Sequence, residues 1–480
     1  MQNDRTYISN FINDEIMQMP MILNSKLTKN GKKFNTRVEV DKIKKYIDDF
    51  IEGYDIQRYI VLPGIRGVGK TTILYQIYDY LLNEKEIPQN QILYFSCEDI
   101  NNNVDCNIRE ITDILLEDVH RTKTRLLDKK IFLLIDEVNY DPNWSISGKI
   151  LYDRSNNIFM IFTGSSALNF EYNADSARRL TKENISPLSY GEHIRLKYNV
   201  NSNILSKSLK NLLLTGEVDD AINSEEEIAN KLLNTKNYIS SEWLDYLRYG
   251  GFPDLLYVKD YNHISKNLVE ICGKVIYIDM LNIKNFTREN QTNANRLIRS
   301  LAIQNSGETS YVKLSNNLNI SQSNVRNIFE VLEKTHLLFH IEPYGGANKR
   351  IRGAWKYYFA TSSIKHALAS EKGNTLKTKE QYEGILIENL VASSLSNFSN
   401  FNHNLYYDGG KKSNVDFILA NDFEKPVPIE VGRGKKDKQQ IKTAINKYDA
   451  DFGVVISNRT NFIEKKDGVI FIPVKTFSFL

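Results

Sequence analysis

Apolar positions recur with two different periods along this chain. Val40, Ile43, Ile47, Phe50 and Ile51 return every three to four residues and predict a helix over 40–51. The unbroken run Tyr59-Ile60-Val61-Leu62 predicts a buried strand, and Ile73, Leu74, Ile77, Leu81 and Leu82 resume helical spacing after it. Further apolar runs at Ile92–Ser96, Ile131–Asp136 and 158–163 predict more strands. Strands that alternate with helices pair in parallel and need cover on both faces, so the expected fold class is α/β with a parallel-sheet core.

The pattern weakens outside that core. Residues 1–37 are polar and weakly patterned, and read as an N-terminal arm or a peripheral helix. The α/β core spans 38–194. A polar stretch, 195–245, carries the acidic run Glu225-Glu226-Glu227 and reads as a helical insertion. With the segment that breaks at Gly250-Gly251-Phe252-Pro253 it makes a helical region over 195–290. Residues 291–362 predict three helices and a strand pair. Residues 363–480 predict a helix and then strands at 405–407, 415–419, 428–431, 452–456 and 469–474.

Composition narrows the classes. The 480 residues leave room for about three domains. Lys and Arg total 62 against 59 Asp and Glu, a net charge of +3, which excludes a polycationic tail but allows a local basic patch. Three cysteines, Cys97, Cys106 and Cys272, are too scattered for a disulfide framework or a cysteine zinc site. No secretory leader and no membrane-spanning run is expected, and a cytoplasmic setting with no membrane partner follows as the expectation.

The chemistry begins at Gly64-Ile65-Arg66-Gly67-Val68-Gly69-Lys70-Thr71-Thr72, which satisfies G-x-x-x-x-G-K-[ST] between a strand and a helix. Glycines let backbone amides wrap a phosphate, and the helix N-terminus adds partial positive charge. Lys70 is expected on the β- and γ-phosphates and Thr71 on Mg²⁺. ATP and Mg²⁺ are the expected cofactors. The apolar run 131–135 then delivers Asp136 and Glu137 to a strand's C-terminal end, where α/β sheets hold ligands. Asp136 is expected to hold Mg²⁺ and Glu137 to polarise an attacking water. The next strand ends in Thr163-Gly164-Ser165-Ser166, where a hydroxyl, with Ser165 as the candidate, can sense the nucleotide or cap a helix. Arg178 and Arg179 suit either charge stabilisation during phosphoryl transfer or a solvated face.

The phosphate loop, Leu134-Ile135-Asp136-Glu137, Phe162-Thr163-Gly164-Ser165-Ser166, Arg178-Arg179, Pro187-Leu188-Ser189 and Gly250-Gly251-Phe252-Pro253 occur in that order. Together they resemble the prokaryotic AAA+-type P-loop ATPases that carry a C-terminal restriction-endonuclease-like domain of unknown function. The resemblance covers roughly 38–480. It implies a nucleotide-sensing role for Arg178 or Arg179, a helical lid at Gly250–Pro253, and a winged helix before the C-terminal α/β domain.

The segment after the lid fits a helix-turn-helix. Leu314 and Leu318 mark one helix, and Ser321 can cap another with Val325, Ile328, Phe329 and Leu332 on its apolar face. Gln322, Ser323, Asn324 and Arg326 at its start are types that contact bases or phosphates. Lys349, Arg350 and Arg352, in the Gly-containing link between the two strands, read as a wing on a phosphate backbone. Double-stranded DNA is thus a candidate partner, beside self-association or a protein partner, and a purely packing role for this module stays open.

Glu388 on a helix, Asp416 and Glu430 resemble a nuclease's acid trio and form a possible second metal site. The lysine such sites use is replaced by Gly432, with Arg433, Lys435 and Lys436 beyond it. A nuclease fold kept without cleavage is the favoured reading of 363–480. A metal-dependent nuclease acting against foreign DNA and a DNA-binding module with nucleotide-controlled assembly are its rivals.

Overall fold

The structure is a computed structural model. It describes the chain except residues 1, 30, 55–56, 104–105, 165–177, 283–285, 306, 308, 372–377, 399–403, 410–413, 422–423 and 433–437. The chain divides into two compact units, Met1–Ile185 and Ser186–Leu480.

The first unit is a five-stranded parallel sheet covered on both faces. Helix α1 (Gln2–Leu27) leads through a small hairpin, β1 (Thr28–Lys29) and β2 (Lys32–Lys33), to helix α2 (Val38–Glu52). Strand β3 (Tyr59–Pro63) runs into helix α3 (Lys70–Asp79). Strands β4 (Ile92–Ser96), β5 (Ile131–Asp136), β6 (Ile158–Gly164) and β7 (Thr181–Lys182) complete the sheet in the order β4-β5-β6-β3-β7. One face carries Tyr59, Val61, Leu93, Ile131, Leu133, Met160 and Phe162, and α1 covers part of it with Ile8, Ile12 and Ile16. On the other face Phe50 of α2 packs against Phe132 and Phe159, with ring centres 5.6 and 5.3 Å apart.

The N-terminal arm is therefore not peripheral. Ile8, Ile12, Ile16, Met19, Leu23 and Leu27 are all buried along one face of α1. A fully buried side chain of this kind contributes about 1.5–3 kcal/mol, enough to hold a 26-residue helix against the sheet despite Pro20 inside it.

The second unit joins segments that the sequence had separated. Strands β8 (Leu338–Pro343), β9 (Lys356–Phe359), β10 (Asn404–Tyr407), β11 (Phe417–Ala420), β12 (Val427–Gly432), β13 (Gly453–Ser457), β14 (Glu464–Lys466) and β15 (Val469–Pro473) form one mixed sheet. Its order is β14-β15-β13-β12-β11-β10-β8-β9. The β8–β9 pair expected to belong to a separate winged helix is continued by β10, which pairs in parallel with β8. The polar stretch 195–245 is also part of this unit's core. Leu205, Leu209, Leu212, Leu213, Ile228 and Leu232 pack in one cluster with Phe417, Ile429, Val454 and Ile470. Glu225 of the acidic run faces inward, where one carboxylate oxygen accepts from the Ile463 N–H at 2.8 Å.

Candidate functional site

The phosphate loop is the turn between β3 and α3. Gly67 and Gly69 lie at φ 83° and 92°, in the left-handed region where a side chain is strained. Gly64 is required for another reason, since a Cβ there would lie 2.3 Å from the Ile185 carbonyl oxygen. Ile65 and Val68 are fully buried and anchor the turn, while Arg66, Thr71 and Thr72 are half-buried. Lys70 is buried, and its Nζ donates to the carbonyls of Gly64 at 2.8 Å and Ile65 at 3.2 Å. The ammonium thus lies within the curve of the loop.

Asp136 ends β5, every residue of which is buried. The Thr71 hydroxyl donates to its Oδ2 at 2.6 Å. The Thr163 hydroxyl donates to Oδ1 and accepts from the Glu137 N–H at 3.1 Å. Strand register explains this. Ile135 pairs with Phe162, so the next residues along, Asp136 and Thr163, lie side by side. The Tyr94 hydroxyl lies 3.5 Å from Asp136 Oδ2 and 3.2 Å from the Tyr75 hydroxyl. Burial, and then the Asp136 charge, push the Tyr94 phenol up, so it keeps its proton and remains a donor. Glu137 follows at φ 49° and ψ 48°, a conformation that costs a non-glycine residue of order 1 kcal/mol.

These oxygens suit a hard cation. A hydroxyl and a carboxylate 2.6 Å apart match the way Mg²⁺ is held beside phosphates, through few protein oxygens, with water and phosphate completing the shell. Among the described residues no cluster of three or more His, Cys, Asp or Glu is poised to hold a metal ion unaided.

Other expected residues fall differently. Ser165, and its neighbour Ser166, lie outside the described residues, and the hydroxyl that the end of β6 brings to Asp136 is that of Thr163. Arg178 is exposed, and Arg179 pairs through Nε with Asp153 at 2.6 Å. Tyr94 and Tyr75 were not singled out from the sequence, and Thr163 entered only as part of the hydroxyl-bearing strand end from which Ser165 was chosen. The clue was Thr163 itself, a polar residue closing an apolar run beside the acid strand.

In the second unit, the helix Gln322–Lys334 is capped by Ser321, whose side chain accepts from the Asn324 N–H at 3.2 Å. Gln322, Ser323 and Arg326 are exposed, Asn324 is half-buried, and the Arg326 guanidinium lies over the Tyr311 ring. The expected wing is instead a short helix, Ala347–Arg352. Arg350 is half-buried and engaged within the fold: it donates to the Gly345 carbonyl at 2.9 Å and the Tyr406 hydroxyl at 2.8 Å. Lys349 and Arg352 are exposed.

The C-terminal acids have other occupations. Glu388 accepts from the Tyr358 hydroxyl at 3.0 Å, and Asp416 Oδ2 accepts from the Val431 N–H at 2.8 Å. Glu430 is buried and accepts from Gln440 at 3.3 Å. Burial first, then the nearby Asp416 charge, push the Glu388 carboxyl up to about 7. The basic positions Arg433, Lys435 and Lys436 lie outside the described residues.

A parallel sheet that places a third strand between the phosphate-loop strand and the acid strand is the arrangement of a P-loop core. Residues 57–194 match a family model described as an AAA domain. Residues 240–400 and 383–477 match two domains of unknown function, DUF8612 and DUF4143. The chain is 31% identical over 479 residues to the uncharacterized protein MJ1637 of Methanocaldococcus jannaschii, covering 98% of this chain and 94% of that one, and it belongs to the same family. MJ1544 of the same organism is 24% identical, covering 90% of this chain and 86% of that protein. Among solved structures, the ORC1 protein of Aeropyrum pernix in complex with DNA is 12% identical. That match covers 70% of this chain and 92% of that one, with a TM-score of 0.29. Among the described residues, no helix is long and apolar enough to cross a membrane.

Proposed function

We propose that this protein binds Mg·ATP at the loop Gly64–Thr72 and hydrolyses it, using the cycle as a conformational switch. The observation that carries the reading is the 2.6 Å hydrogen bond between Thr71 and Asp136, which brings the two expected Mg²⁺ oxygens together. Mg²⁺ there would neutralise charge on the phosphates. The chain's own groups do the rest. Loop amides and Lys70 hold the phosphates, Thr163 orients Asp136 and the Glu137 backbone, and the Glu137 carboxylate takes the proton of the attacking water. Arg178 or Arg179 remains the candidate for a nucleotide-sensing arginine.

Titration with Mg·ATP tests the reading directly. Wild type should bind saturably and turn over, and Lys70→Ala should lose binding. No saturable binding by wild type would end it.

A coupled role on duplex DNA is the second part of the proposal. It is favoured by the exposed Gln322, Ser323 and Arg326 at the start of a capped helix that follows Tyr311–Leu318 through a short turn. ATP turnover measured with and without duplex DNA discriminates this from an ATPase that serves a protein partner or assembles with itself. The domain holding Glu388, Asp416 and Glu430 is proposed to keep a nuclease-like fold without cleavage, because Gly432 stands where the lysine belongs.

A further inference from the structure

Arg37 was assigned by sequence to the arm, outside the nucleotide core. The structure puts its side chain, 4% exposed, beneath the phosphate loop. Its Nη1 donates to the Val68 carbonyl at 2.8 Å, and its Nη2 pairs with Glu39 Oε1 at 3.1 Å. Neighbouring residues tie the same strap to α3. Lys33 pairs with Asp79, and the Asn35 carbonyl accepts from Gln76 at 3.3 Å.

The peptide group makes this contact consequential. The Val68–Gly69 unit is planar and trans, so its C=O and N–H point in opposite directions. A donor that holds the Val68 oxygen on one side presents the Gly69 N–H on the other. Gly69 sits at φ 92°, a freely turning glycine, and such a peptide needs an external restraint to keep one orientation. The amide of Gly69 is one of those expected to face the phosphates. A guanidinium suits the task, because it stays charged and divides its donors between a carbonyl and a carboxylate in one plane.

We infer that Arg37 is a positioning residue for phosphate binding, which fixes the Gly69 amide through the Val68 carbonyl and makes the strap 33–37 part of the nucleotide site. This inference rests on the proposed ATP site. It adds that the segment linking α1 to α2 sets how well the cradle is formed before nucleotide arrives.

The test uses the full chain with Arg37→Ala, Arg37→Lys and, as a milder change, Glu39→Gln. An amide that contacts phosphate equally in the bound and transition states contributes uniform binding. Arg37→Ala should therefore raise KM for Mg·ATP on the order of tenfold with kcat held within about threefold. Arg37→Lys should recover part of the loss, since an ammonium can still reach one carbonyl. Without nucleotide, hydrogen exchange over 64–70 should rise in Arg37→Ala and less in Glu39→Gln. An unchanged KM together with unchanged loop exchange would overturn the inference while the ATP reading stands. A fall in kcat that Arg37→Lys does not relieve would also overturn it, by pointing to a general folding defect. If wild type itself fails to bind Mg·ATP, the proposed function falls, and the exchange measurement still decides whether Arg37 holds the loop.

Discussion

Two groups of acids in this chain occupy opposite environments. Asp136 sits among hydroxyls: Thr71 and Thr163 donate to its two oxygens, and Tyr94 lies beside one of them. Glu388 meets the Tyr358 phenol, and burial together with the Asp416 charge pushes it up to about 7. Each group was read from sequence as a metal site. A carboxylate ringed by neutral donors can exchange a hydroxyl contact for a cation at little cost. A carboxyl buried beside another carboxylate is instead biased toward holding a proton. The contrast separates an acid poised to accept a cation from an acid biased toward its protonated form.

The largest expected effect tests that separation. Glu137→Gln should bind Mg·ATP as wild type does and lose turnover by about 10²- to 10⁴-fold, the range for removing a positioned base. Asp416→Asn should leave turnover within about twofold, since its carboxylate accepts from the Val431 N–H and the asparagine oxygen can still do so. Steady-state phosphate release reads both. An equal fall in the two variants would erase the distinction.

A smaller effect sharpens the first half of the contrast. Thr163→Val removes the hydroxyl that joins Asp136 to the Glu137 N–H while keeping the side chain's shape. Turnover should drop on the order of tenfold, one hydrogen bond's worth, with ATP affinity little changed. A loss of affinity without a loss of turnover would mean that Thr163 serves binding and not water activation.

The second half is read through pH. The Glu388 carboxyl rises from an ordinary 4.5 to about 7, so the folded state holds a proton there that the unfolded chain releases. Its contribution is full below about pH 4.5 and is lost as pH rises through 7. Glu388→Gln should abolish this slope. Relative to wild type, the variant should gain on the order of 2 kcal/mol between pH 5 and pH 8 in urea unfolding, allowing for partial solvent contact. A parallel pH dependence in both proteins would show that the carboxyl is not biased toward its protonated form.

The two regions were also unequally legible in the sequence. The phosphate loop was readable because each residue's task is local: Gly67 and Gly69 turn the chain, and Lys70 and Thr71 follow at once. The acid on β5 was readable because an apolar run stops abruptly at Asp136. Arg37, Tyr94 and Thr163 act across the fold, and spacing along the chain carries no record of which strands lie side by side. Helix α1 did leave a trace, the spacing of residues 8, 12, 16, 19, 23 and 27, but polar residues and Pro20 between them masked it. Strand β14, Glu464–Lys466, is fully exposed and charged, as suits a sheet edge, and offered no apolar signal. The wing failed for a related reason. Glycines at 345 and 346 suggested an open loop, but Arg350 found a partner 56 residues away in Tyr406 and closed the segment into a helical turn.

That last mismatch yields the smallest and most discriminating prediction. Three arginines of residues 291–362, Arg326, Arg350 and Arg352, were expected on DNA, and the first two differ in their surroundings. Arg350 is committed to Gly345 and Tyr406, whereas Arg326 is exposed at the start of its helix. Each phosphate neutralised by a protein cation contributes about 0.9 to the slope of log affinity against log salt. If the helix Gln322–Lys334 meets a duplex, Arg326→Ala should flatten that slope by about one unit, and Arg350→Ala should leave it unchanged. Fluorescence anisotropy with a labelled duplex over a salt series measures both. Equal flattening in the two variants would mean that Arg350 leaves Tyr406 to act as a wing after all. An affinity that ignores salt altogether would assign the segment to packing, where its exposed polar residues serve only to keep the helix surface wet.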